Sequence, residues 1–283
     1  MEHRHTWASD SHERAVERFY SRGVNGATEI HSGYLNFGLW EPGNDDYICA
    51  AENLVTHMAE LLGLEPGSRL LDVACGNGAQ DVFLQQSRGP LEIDALDVTW
   101  QHVTRTRRRA EEAGLAERIR AHHGSATALP FGEGSFTHLM SIEGPEHFQT
   151  RRRFLTEARR VLVDDGVMAL ADYIVTRPPR TYTERFIFHG ACALWKVPLE
   201  NVWTADRYRE ELHASGFPRA DLELAGERTF PGYYREQNRP AFRREMERLQ
   251  GRLLARVGNV INYAANEAYR RGMVDYVFVR ATA

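Results

Sequence analysis

The chain has 283 residues, of which 42% are hydrophobic and 26% charged, and its formal net charge is −4. This composition is that of an ordinary globular protein, so it excludes disorder, collagen-like repeats and long coiled coil. The slight acidity, without a basic extension, argues against a nucleic-acid substrate. A chain of this length can bury a full core, so we expect one large domain, or a core with a smaller cap.

Cysteine, metal and membrane signals are weak throughout the chain. The three cysteines, Cys49, Cys75 and Cys192, are widely spaced without a C-x-x-C pair, so we expect reduced thiols and not a disulfide framework. The histidines lack metal-ligand spacing, which predicts that no metal is bound. The sequence has no N-terminal apolar stretch and no run of 18 apolar residues, which predicts a cytoplasmic protein without a membrane span.

Helical and strand patterns alternate over the first part of the chain. Helices are predicted over 11–20, 47–64, 101–113 and 151–162. Short apolar runs predict strands over 69–74, 91–98, 119–122, 135–142 and 167–175. Because strands that alternate with helices form parallel sheets covered on both faces, we expect a doubly wound, mostly parallel α/β sheet.

The pattern changes after Pro178 and Pro179. Residues 182–203 are aromatic and irregular, which suggests an inserted lid over about 178–204. Further elements are then predicted as a helix over 205–215, a strand near 222–230, a long helix over 240–257 and a closing strand over 273–281, which completes seven strands. We divide the chain into cap helices over 1–64 and a core over 65–283. The apolar stripe of the long helix leaves open both packing on its own core and a homo-oligomer contact.

A glycine turn follows the first predicted strand. Residues 70–78 read Leu-Leu-Asp-Val-Ala-Cys-Gly-Asn-Gly, and glycine lets a ligand approach the backbone because it has no Cβ. Dinucleotide sites favour a third glycine, but Asp81 stands at that position and would repel a pyrophosphate. Asp97 ends the second strand, where an acid accepts hydrogen bonds from ribose hydroxyls. These residues favour a nucleoside ligand without phosphates.

Several stretches, in the same order along the chain, resemble motifs of the class I S-adenosylmethionine-dependent methyltransferases. Residues 70–78 resemble the first motif and residues 96–99 (Leu-Asp-Val-Thr) the acidic second-strand motif. Residues 124–131 and 155–172 resemble the motifs that follow. Residues 34–40 (Tyr-Leu-Asn-Phe-Gly-Leu-Trp) are similar to a segment of a small-molecule subgroup, which includes natural-product sugar O-methyltransferases and sterol and geranyl diphosphate C-methyltransferases.

The resemblance implies a Rossmann-like methyltransferase fold with S-adenosyl-L-methionine as cofactor and S-adenosyl-L-homocysteine as product. The residues that it places around the cofactor are Asp72, Gly76, Asn77, Gly78, Asp97, Val98, Ser125, Ala126 and Glu143. It also implies an aromatic cap and lid around an apolar substrate pocket, with Tyr20, Tyr34, Trp40, Phe186 and Trp195 as candidate lining residues. Ser125 departs from the usual Asp, so we expect a weaker hydrogen bond to adenine there, or one from the backbone of Ala126.

The resemblance also supplies candidate catalytic residues. His147 follows the fourth predicted strand, in a stretch that resembles the one carrying a proposed base in sugar O-methyltransferases. An aspartate at the end of the fifth strand is the partner of that base, and Asp172 matches it. Glu143 and Glu146 are further candidates. Gly144-Pro145 departs from the family pattern and reshapes the loop that carries His147.

Together these features predict methyl transfer to a small, largely apolar metabolite of secondary metabolism, first of all at oxygen. Three alternatives stay open. The acceptor atom is an isoprenoid or polyketide carbon, with Arg177, Arg180 and Arg185 available to bind a diphosphate. The fold keeps the cofactor and catalyses a cyclisation. The chain is a non-catalytic partner subunit, against which the intact glycines argue.

Overall fold

Seven strands form one sheet in the computed structural model, which describes residues 11–23 and 31–283. The strands are β1 (Arg69–Val73), β2 (Glu92–Asp97), β3 (Ile119–His123), β4 (Phe136–Ile142), β5 (Leu162–Val175), β6 (Arg219–Leu224) and β7 (Val274–Thr282). Their order across the sheet is β3-β2-β1-β4-β5-β7-β6. Only β7 runs antiparallel to its neighbours, β5 and β6. The predicted doubly wound, mostly parallel seven-stranded sheet is confirmed.

Helices precede the sheet and connect its strands. They are α1 (Ser11–Gly23), α2 (Tyr47–Leu62), α3 (Ala79–Arg88), α4 (Trp100–Glu112), α5 (Arg151–Val161), α6 (Tyr182–Leu194), α7 (Ala205–Ala214), α8 (Gly226–Asn238) and α9 (Pro240–Arg270). Local chemistry sets the ends of α2, because Asp46 accepts from the Cys49 N–H at its start and Gly63 takes a left-handed φ of 70° at its end. Among the described residues, no helix is long and apolar enough to cross a membrane.

The position of β1 determines where a ligand can lie. β1 pairs in parallel with β2 on one side and with β4 on the other, with Val73 beside Leu96 and Asp72 beside Met140. The chain segments that follow these three strands therefore emerge at one edge of the sheet. In open α/β sheets, ligands bind at this edge, where the strand order reverses.

The irregular structure predicted for residues 182–203 is wrong for most of that segment, whereas its role as a lid stays a prediction. Residues 182–194 form α6, and the Thr181 hydroxyl accepts the Glu184 N–H at 3.1 Å, as an N-cap residue does. Ser or Thr three residues before Glu is a known helix-start pattern, so this signal was present in the sequence. The many aromatic residues of this segment suggested irregular structure, so the helix-start pattern at Thr181 was not used.

The predicted strand near 222–230 is also wrong in its second half. β6 ends at Leu224 and α8 begins at Gly226, whose N–H donates to Asp275 Oδ1 at 2.9 Å. Phe230 lies inside α8 and stacks on Tyr269 at 4.7 Å between ring centroids. Two glycines and a proline in α8 weaken its helical pattern in the sequence.

The long C-terminal helix is longer than predicted and is interrupted. α9 runs to Arg270, and Gly251 breaks it with a φ of 81° and a ψ of 156°. Glycine adopts this backbone conformation without the steric strain that a Cβ would add. The two halves of α9 therefore take different directions, and both face the site described below.

Two helical glycines give a matched test of packing. A Cβ at Gly232 in α8 would overlap the indole ring of Trp40, whereas a Cβ at Gly190 in α6 would meet no atom within 4 Å. We expect Gly232→Ala to lower the free energy of unfolding by about 1–3 kcal/mol through overpacking. Gly190→Ala should raise it by up to about 1 kcal/mol, because alanine favours a helix. Urea denaturation measures both, and equal effects would contradict the packing of Trp40 on α8.

Candidate active site

The turn after β1 needs glycine at a specific position. Gly76 and Gly78 have φ values of 57° and 70°, and a Cβ at Gly78 would lie 2.6 Å from Thr106 Cγ2 on α4. The Thr106 hydroxyl also donates to the Gly76 carbonyl at 3.1 Å. The turn therefore packs directly on α4 and leaves its outer backbone open to a ligand.

Asp97, at the end of β2, is a buried and ionised carboxylate. Its Oδ2 accepts from the Gly76 N–H at 3.0 Å and its Oδ1 from the Thr99 N–H at 2.7 Å, while His102 Nδ1 lies 3.2 Å from Oδ1. Burial raises the pKa of Asp97, but the charge of His102 and these hydrogen bonds outweigh it and hold the pKa below its usual range. The carboxylate is thus fixed next to the glycine turn.

A cleft of about 910 Å³ opens over these residues at the carboxyl edge of the sheet. The predicted cofactor residues that line it are Gly76, Asn77, Asp97, Val98, Ala126 and Glu143. Lining residues that the sequence analysis did not assign to the cofactor include Glu13, Gln80, Thr99, His102 and Gln149. His102 and Gln80 lie in the first turns of α4 and α3, the helices that follow the motif strands, and this position beside the ligand-binding turns could have indicated them. We call this space the cofactor cleft.

Three predicted cofactor residues lie behind the walls of the cleft. Gly78 packs on Thr106, and Ser125 bonds Glu13 of α1, so each supports the wall from outside. Asp72 is fully buried, accepts from Gln80 Nε2 at 2.7 Å and lies beside Asp81. Burial raises the pKa of Asp72 to about 7 and that of Asp81 well above its usual range.

This placement corrects the expectation for Asp81. The sequence suggested a carboxylate facing the ligand, but Asp81 is fully buried and does not line the cleft. Its raised pKa favours the neutral acid, because two adjacent buried carboxyl groups do not both ionise. Asp81 therefore does not act by repelling a pyrophosphate, and Asp97 is the aspartate that lines the cleft.

His147 lies in a short 3-10 turn, Pro145–His147, directly after β4. Its Nε2 is hydrogen-bonded to the Tyr20 hydroxyl at 2.8 Å, and its carbonyl accepts from His12 Nε2 at 2.9 Å. Burial lowers the pKa of His147 to about 4. The imidazole is therefore neutral at ordinary pH and can accept a proton. Both Tyr20 and His12 belong to α1, which thus closes over the cleft.

A second cavity of about 1280 Å³ adjoins the cleft. It is walled by α1, α8 and α9, and it shares Tyr20, Leu35 and Glu143 with the cofactor cleft. Glu143 has a φ of 52° and accepts from the Phe37 N–H at 2.7 Å and the Tyr276 hydroxyl at 2.9 Å. Burial raises the pKa of Glu143 to about 7. We call this second space the acceptor cavity.

Only two of the five predicted pocket aromatics, Tyr20 and Trp195, line the acceptor cavity. The predictions for Tyr34, Trp40 and Phe186 are not supported by their positions. The Tyr34 hydroxyl donates to Glu52 Oε1 at 3.4 Å, and Trp40 Nε1 donates to the Phe37 carbonyl at 2.8 Å. Both side chains are therefore part of the core. Phe186 is 82% exposed on α6.

Other aromatic residues take their place. Phe37 stacks on Tyr233 at 4.0 Å between ring centroids, and both line the cavity with Phe242. Phe37 belongs to segment 34–40, whose resemblance to the small-molecule subgroup is noted above, whereas Tyr233 is on α8 and Phe242 on α9. Because α8 was not predicted, its inward face could not be identified from the sequence.

Asp172 was expected to be the partner of His147, but other side chains bind it. Arg151 Nε lies 3.1 Å from Asp172 Oδ2, and the Tyr208 hydroxyl donates to the same oxygen at 2.8 Å. Arg151 is 1% exposed and stacks on Trp203 and Tyr208, so its buried charge requires this carboxylate. Within residues 11–23 and 31–283, the carboxylate closest to His147 Nε2 in an ion pair is Glu146, at 3.7 Å. Asp172 thus supports the floor of the site.

No group of three His, Cys, Asp or Glu side chains is arranged to hold a metal ion in the described part of the chain. The chemistry available at the site is that of a neutral imidazole, a phenol and buried carboxyl groups between two cavities.

Comparison with known proteins gives matches along most of the chain. The family described as "Methyltransferase domain" matches residues 70–166. The erythromycin 3''-O-methyltransferase of Saccharopolyspora erythraea is 31% identical over 231 residues, which are 78% of this chain and 73% of that protein. The 27-O-demethylrifamycin SV methyltransferase of Amycolatopsis mediterranei is 26% identical over 208 residues, 72% of this chain and 74% of that protein.

Solved structures share the fold. The geranyl diphosphate C-methyltransferase from Streptomyces coelicolor, in complex with Mg²⁺, geranyl diphosphate and S-adenosyl-L-homocysteine, superposes with a TM-score of 0.77. It is 15% identical, and the match covers 97% of this chain and 98% of that one.

Adjacent arginines test the role assigned to Asp172. Arg151→Leu leaves the buried Asp172 carboxylate without its cation, so we expect the free energy of unfolding to fall by about 3–5 kcal/mol. Arg152 pairs instead with Glu211 and its side chain is 66% exposed. Arg152→Leu should therefore lower the free energy of unfolding far less than Arg151→Leu, because an exposed ion pair is screened by solvent. Chemical denaturation compares them, and similar losses would show that the Asp172–Arg151 pair does not stabilise the floor.

Proposed function

The chain belongs to the class I S-adenosylmethionine-dependent methyltransferases, and from that premise we propose that it methylates a hydroxyl oxygen of a mainly apolar, oxygenated metabolite. The observation that carries this proposal is the Tyr20–His147 hydrogen bond at the junction of the two cavities. Tyr20 lines both cavities, whereas His147 lines the cofactor cleft. A phenol bonded to a neutral imidazole suits removal of a hydroxyl proton.

The residues of the cofactor cleft fit S-adenosylmethionine. Asp97 would hold the ribose hydroxyls, since its carboxylate is ionised and lines the cleft. The open backbone at Gly76 and Asn77 would take the methionine part, and Val98 and Ala126 would flank the adenine. The cofactor supplies a methyl group already activated on a sulfonium. The protein then has to orient the acceptor, exclude water and remove one proton.

The Tyr20–His147 pair provides a route for that proton. An acceptor hydroxyl in the acceptor cavity would give its proton to the Tyr20 oxygen, while Tyr20 gives its own proton to His147 Nε2. The low pKa of His147, about 4, means that the free enzyme holds the ring neutral, so Nε2 has a lone pair for this proton, although burial makes the imidazole a weaker base than free histidine. The His12 contact to the His147 carbonyl fixes the turn that carries the ring. Asp172 does not take part, because Arg151 and Tyr208 hold it.

Charge in the acceptor cavity favours an acceptor without a diphosphate. Arg18 is the one cationic side chain among the described residues that line it. Of the arginines considered for a diphosphate, Arg177 is engaged with both oxygens of Glu184, at 2.9 and 2.8 Å, and lies outside the cavity. Aromatic rings and aliphatic side chains make up most of the wall. The cavity therefore suits an uncharged apolar body, as in an O-methylation, better than an isoprenoid diphosphate.

Methyl transfer to defined acceptors tests the proposal. Purified protein would be incubated with methyl-labelled S-adenosylmethionine and one of three acceptors, namely an erythromycin with a free 3''-hydroxyl, 27-O-demethylrifamycin SV or geranyl diphosphate. We expect the label in an O-methyl group of an oxygenated acceptor and none in geranyl diphosphate. Label on carbon, or no transfer by protein that binds S-adenosylhomocysteine, would contradict O-methylation of this class.

Variants of the Tyr20–His147 pair test the proton route. His147→Ala should lower kcat roughly 10²- to 10⁴-fold and Tyr20→Phe roughly 10- to 10²-fold, because each removes one half of the relay. The double variant should be no slower than the slower single variant, since the two groups act as a unit. Steady-state kinetics with calorimetric cofactor titration measures these effects.

Tyr34→Phe provides the matched control, because Tyr34 is a buried tyrosine of the same cap but lies outside both cavities. It should leave kcat near the unmodified value. Losses that multiply in the double variant would show that Tyr20 and His147 act independently.

The raised pKa of Glu143, about 7, predicts a pH effect on cofactor binding. Glu143 is neutral below this pH and ionised above it, and the ionised form favours the sulfonium of S-adenosylmethionine over the uncharged thioether of S-adenosylhomocysteine. The ratio of the two affinities should therefore rise roughly 3- to 10-fold from pH 6 to pH 8. Glu143→Gln should flatten this ratio. A ratio that is flat in the unmodified protein would contradict the assignment.

A further inference from the structure

One wall of the acceptor cavity carries amide side chains, two of which have unpaired buried atoms. Those two are Gln237 at the end of α8 and Gln250 on α9, and together with Asn262 on α9, which bonds Gln237, we call them the amide wall. The rest of the lining is largely aromatic and aliphatic. Polar groups that are enclosed in an apolar cavity and lack partners are placed to fix the orientation of a ligand.

Gln237 presents a hydrogen-bond donor. Its side chain is buried, and its Oε1 accepts from Asn262 Nδ2 at 2.9 Å. That bond determines which way the amide faces, so Nε2 remains as the donor. Nε2 is buried and has no hydrogen-bond partner among residues 11–23 and 31–283. A buried donor left unpaired is unfavourable, and a ligand oxygen would satisfy it.

The end of α8 holds Gln237 in place. The neighbouring Glu236 is bonded by Arg239 Nη2 at 2.8 Å and lies 3.6 Å from His31 Nε2. His31 in turn stacks between Tyr47 and Phe242, with ring centroids 3.6 and 5.0 Å away. The donor of Gln237 therefore projects from a fixed segment.

Gln250 presents the complementary acceptor. Its Nε2 lies 3.5 Å from Met246 Sδ, which leaves Oε1 directed elsewhere. This Oε1 is buried and unpaired among the described residues. Gln250 directly precedes Gly251, where α9 changes direction, so the break in the helix determines where its side chain lies.

We infer that Gln237 and Gln250 together bind an uncharged hydroxyl-bearing part of the acceptor, away from the methylated oxygen, and so select which hydroxyl faces Tyr20. This inference rests on the proposed function. A hydroxyl group can both accept and donate a hydrogen bond, so this chemistry suits the Gln237 Nε2 donor and the Gln250 Oε1 acceptor alike. A carboxylate or phosphate would leave the oxygen of Gln250 facing a negative charge. A site built to bind a hydroxyl discriminates against analogues that lack it.

Ligand binding to variants of the amide wall tests the inference. The probes are the 3''-hydroxyl erythromycin and 27-O-demethylrifamycin SV, with geranyl diphosphate as the contrasting ligand, each titrated by calorimetry into protein loaded with S-adenosylhomocysteine. Gln237→Met keeps the length of the side chain and removes the donor. We expect the Kd of the tighter oxygenated probe to rise roughly 5- to 20-fold, with a matching rise in KM that exceeds any fall in kcat. Gln250→Leu should have a similar effect.

Asn238→Ala is the matched control, because Asn238 adjoins Gln237 on α8 but bonds the Tyr234 carbonyl and lies outside the cavity. It should leave the Kd of the probe unchanged. The affinity for S-adenosylhomocysteine should be the same in all variants, which shows that they fold.

The inference is overturned if both amide variants bind the probe as well as the unmodified protein, or if Asn238→Ala weakens binding equally. It is also overturned if geranyl diphosphate binds more tightly than both oxygenated probes, or if neither oxygenated probe binds. Binding that depends on Gln237 without any methyl transfer would contradict the proposed function and still support the amide wall as a recognition site.

Discussion

The parallel pairing of β1 with both β2 and β4 is the constraint on which the site depends. It brings the Gly76 turn, Asp97 and Glu143 to one edge of the sheet, although they are far apart in the chain. A backbone N–H then holds each of the two acids, because the Gly76 N–H donates to Asp97 and the Phe37 N–H donates to Glu143. Burial raises the pKa of both acids, but the nearby His102 holds the pKa of Asp97 below its usual range, whereas the hydrogen bonds that Glu143 accepts from Phe37 and Tyr276 do not outweigh its burial.

Much of the sheet and of the cofactor site could be predicted from the sequence. Short apolar runs that end in glycine or aspartate indicate both a strand and a ligand-binding turn. A buried parallel strand is apolar throughout, and its ligand-binding turn follows it directly. The boundaries of β1, β2 and β4 accordingly agree with the predicted ones to within two residues. The turn residues Gly76 and Asn77 and the acid Asp97 line the cleft, and their contact with the cofactor stays a prediction.

The acceptor side could not be predicted in the same way. Its walls depend on contacts between distant segments, such as Trp40 against Gly232 and Phe37 against Tyr233, and an aromatic residue in a sequence does not show which way it faces. Asp172 shows the same limit for charge. Its position in the fifth predicted strand matched the family pattern for a partner of His147, but a buried Arg151 from α5 binds it instead. Asn262 donates to Gln237 Oε1, and this bond leaves Gln237 Nε2 as the unpaired donor. No pattern in the sequence indicates such a contact between side chains.

Helix α1 contacts both the cofactor cleft and the acceptor cavity. It reaches three points of the site, where His12 bonds the His147 carbonyl, Glu13 bonds Ser125 and Tyr20 bonds the His147 ring. Because α1 lines both the cofactor cleft and the acceptor cavity, one set of contacts bounds two chambers. A substitution that weakens these contacts would therefore disturb both chambers at once.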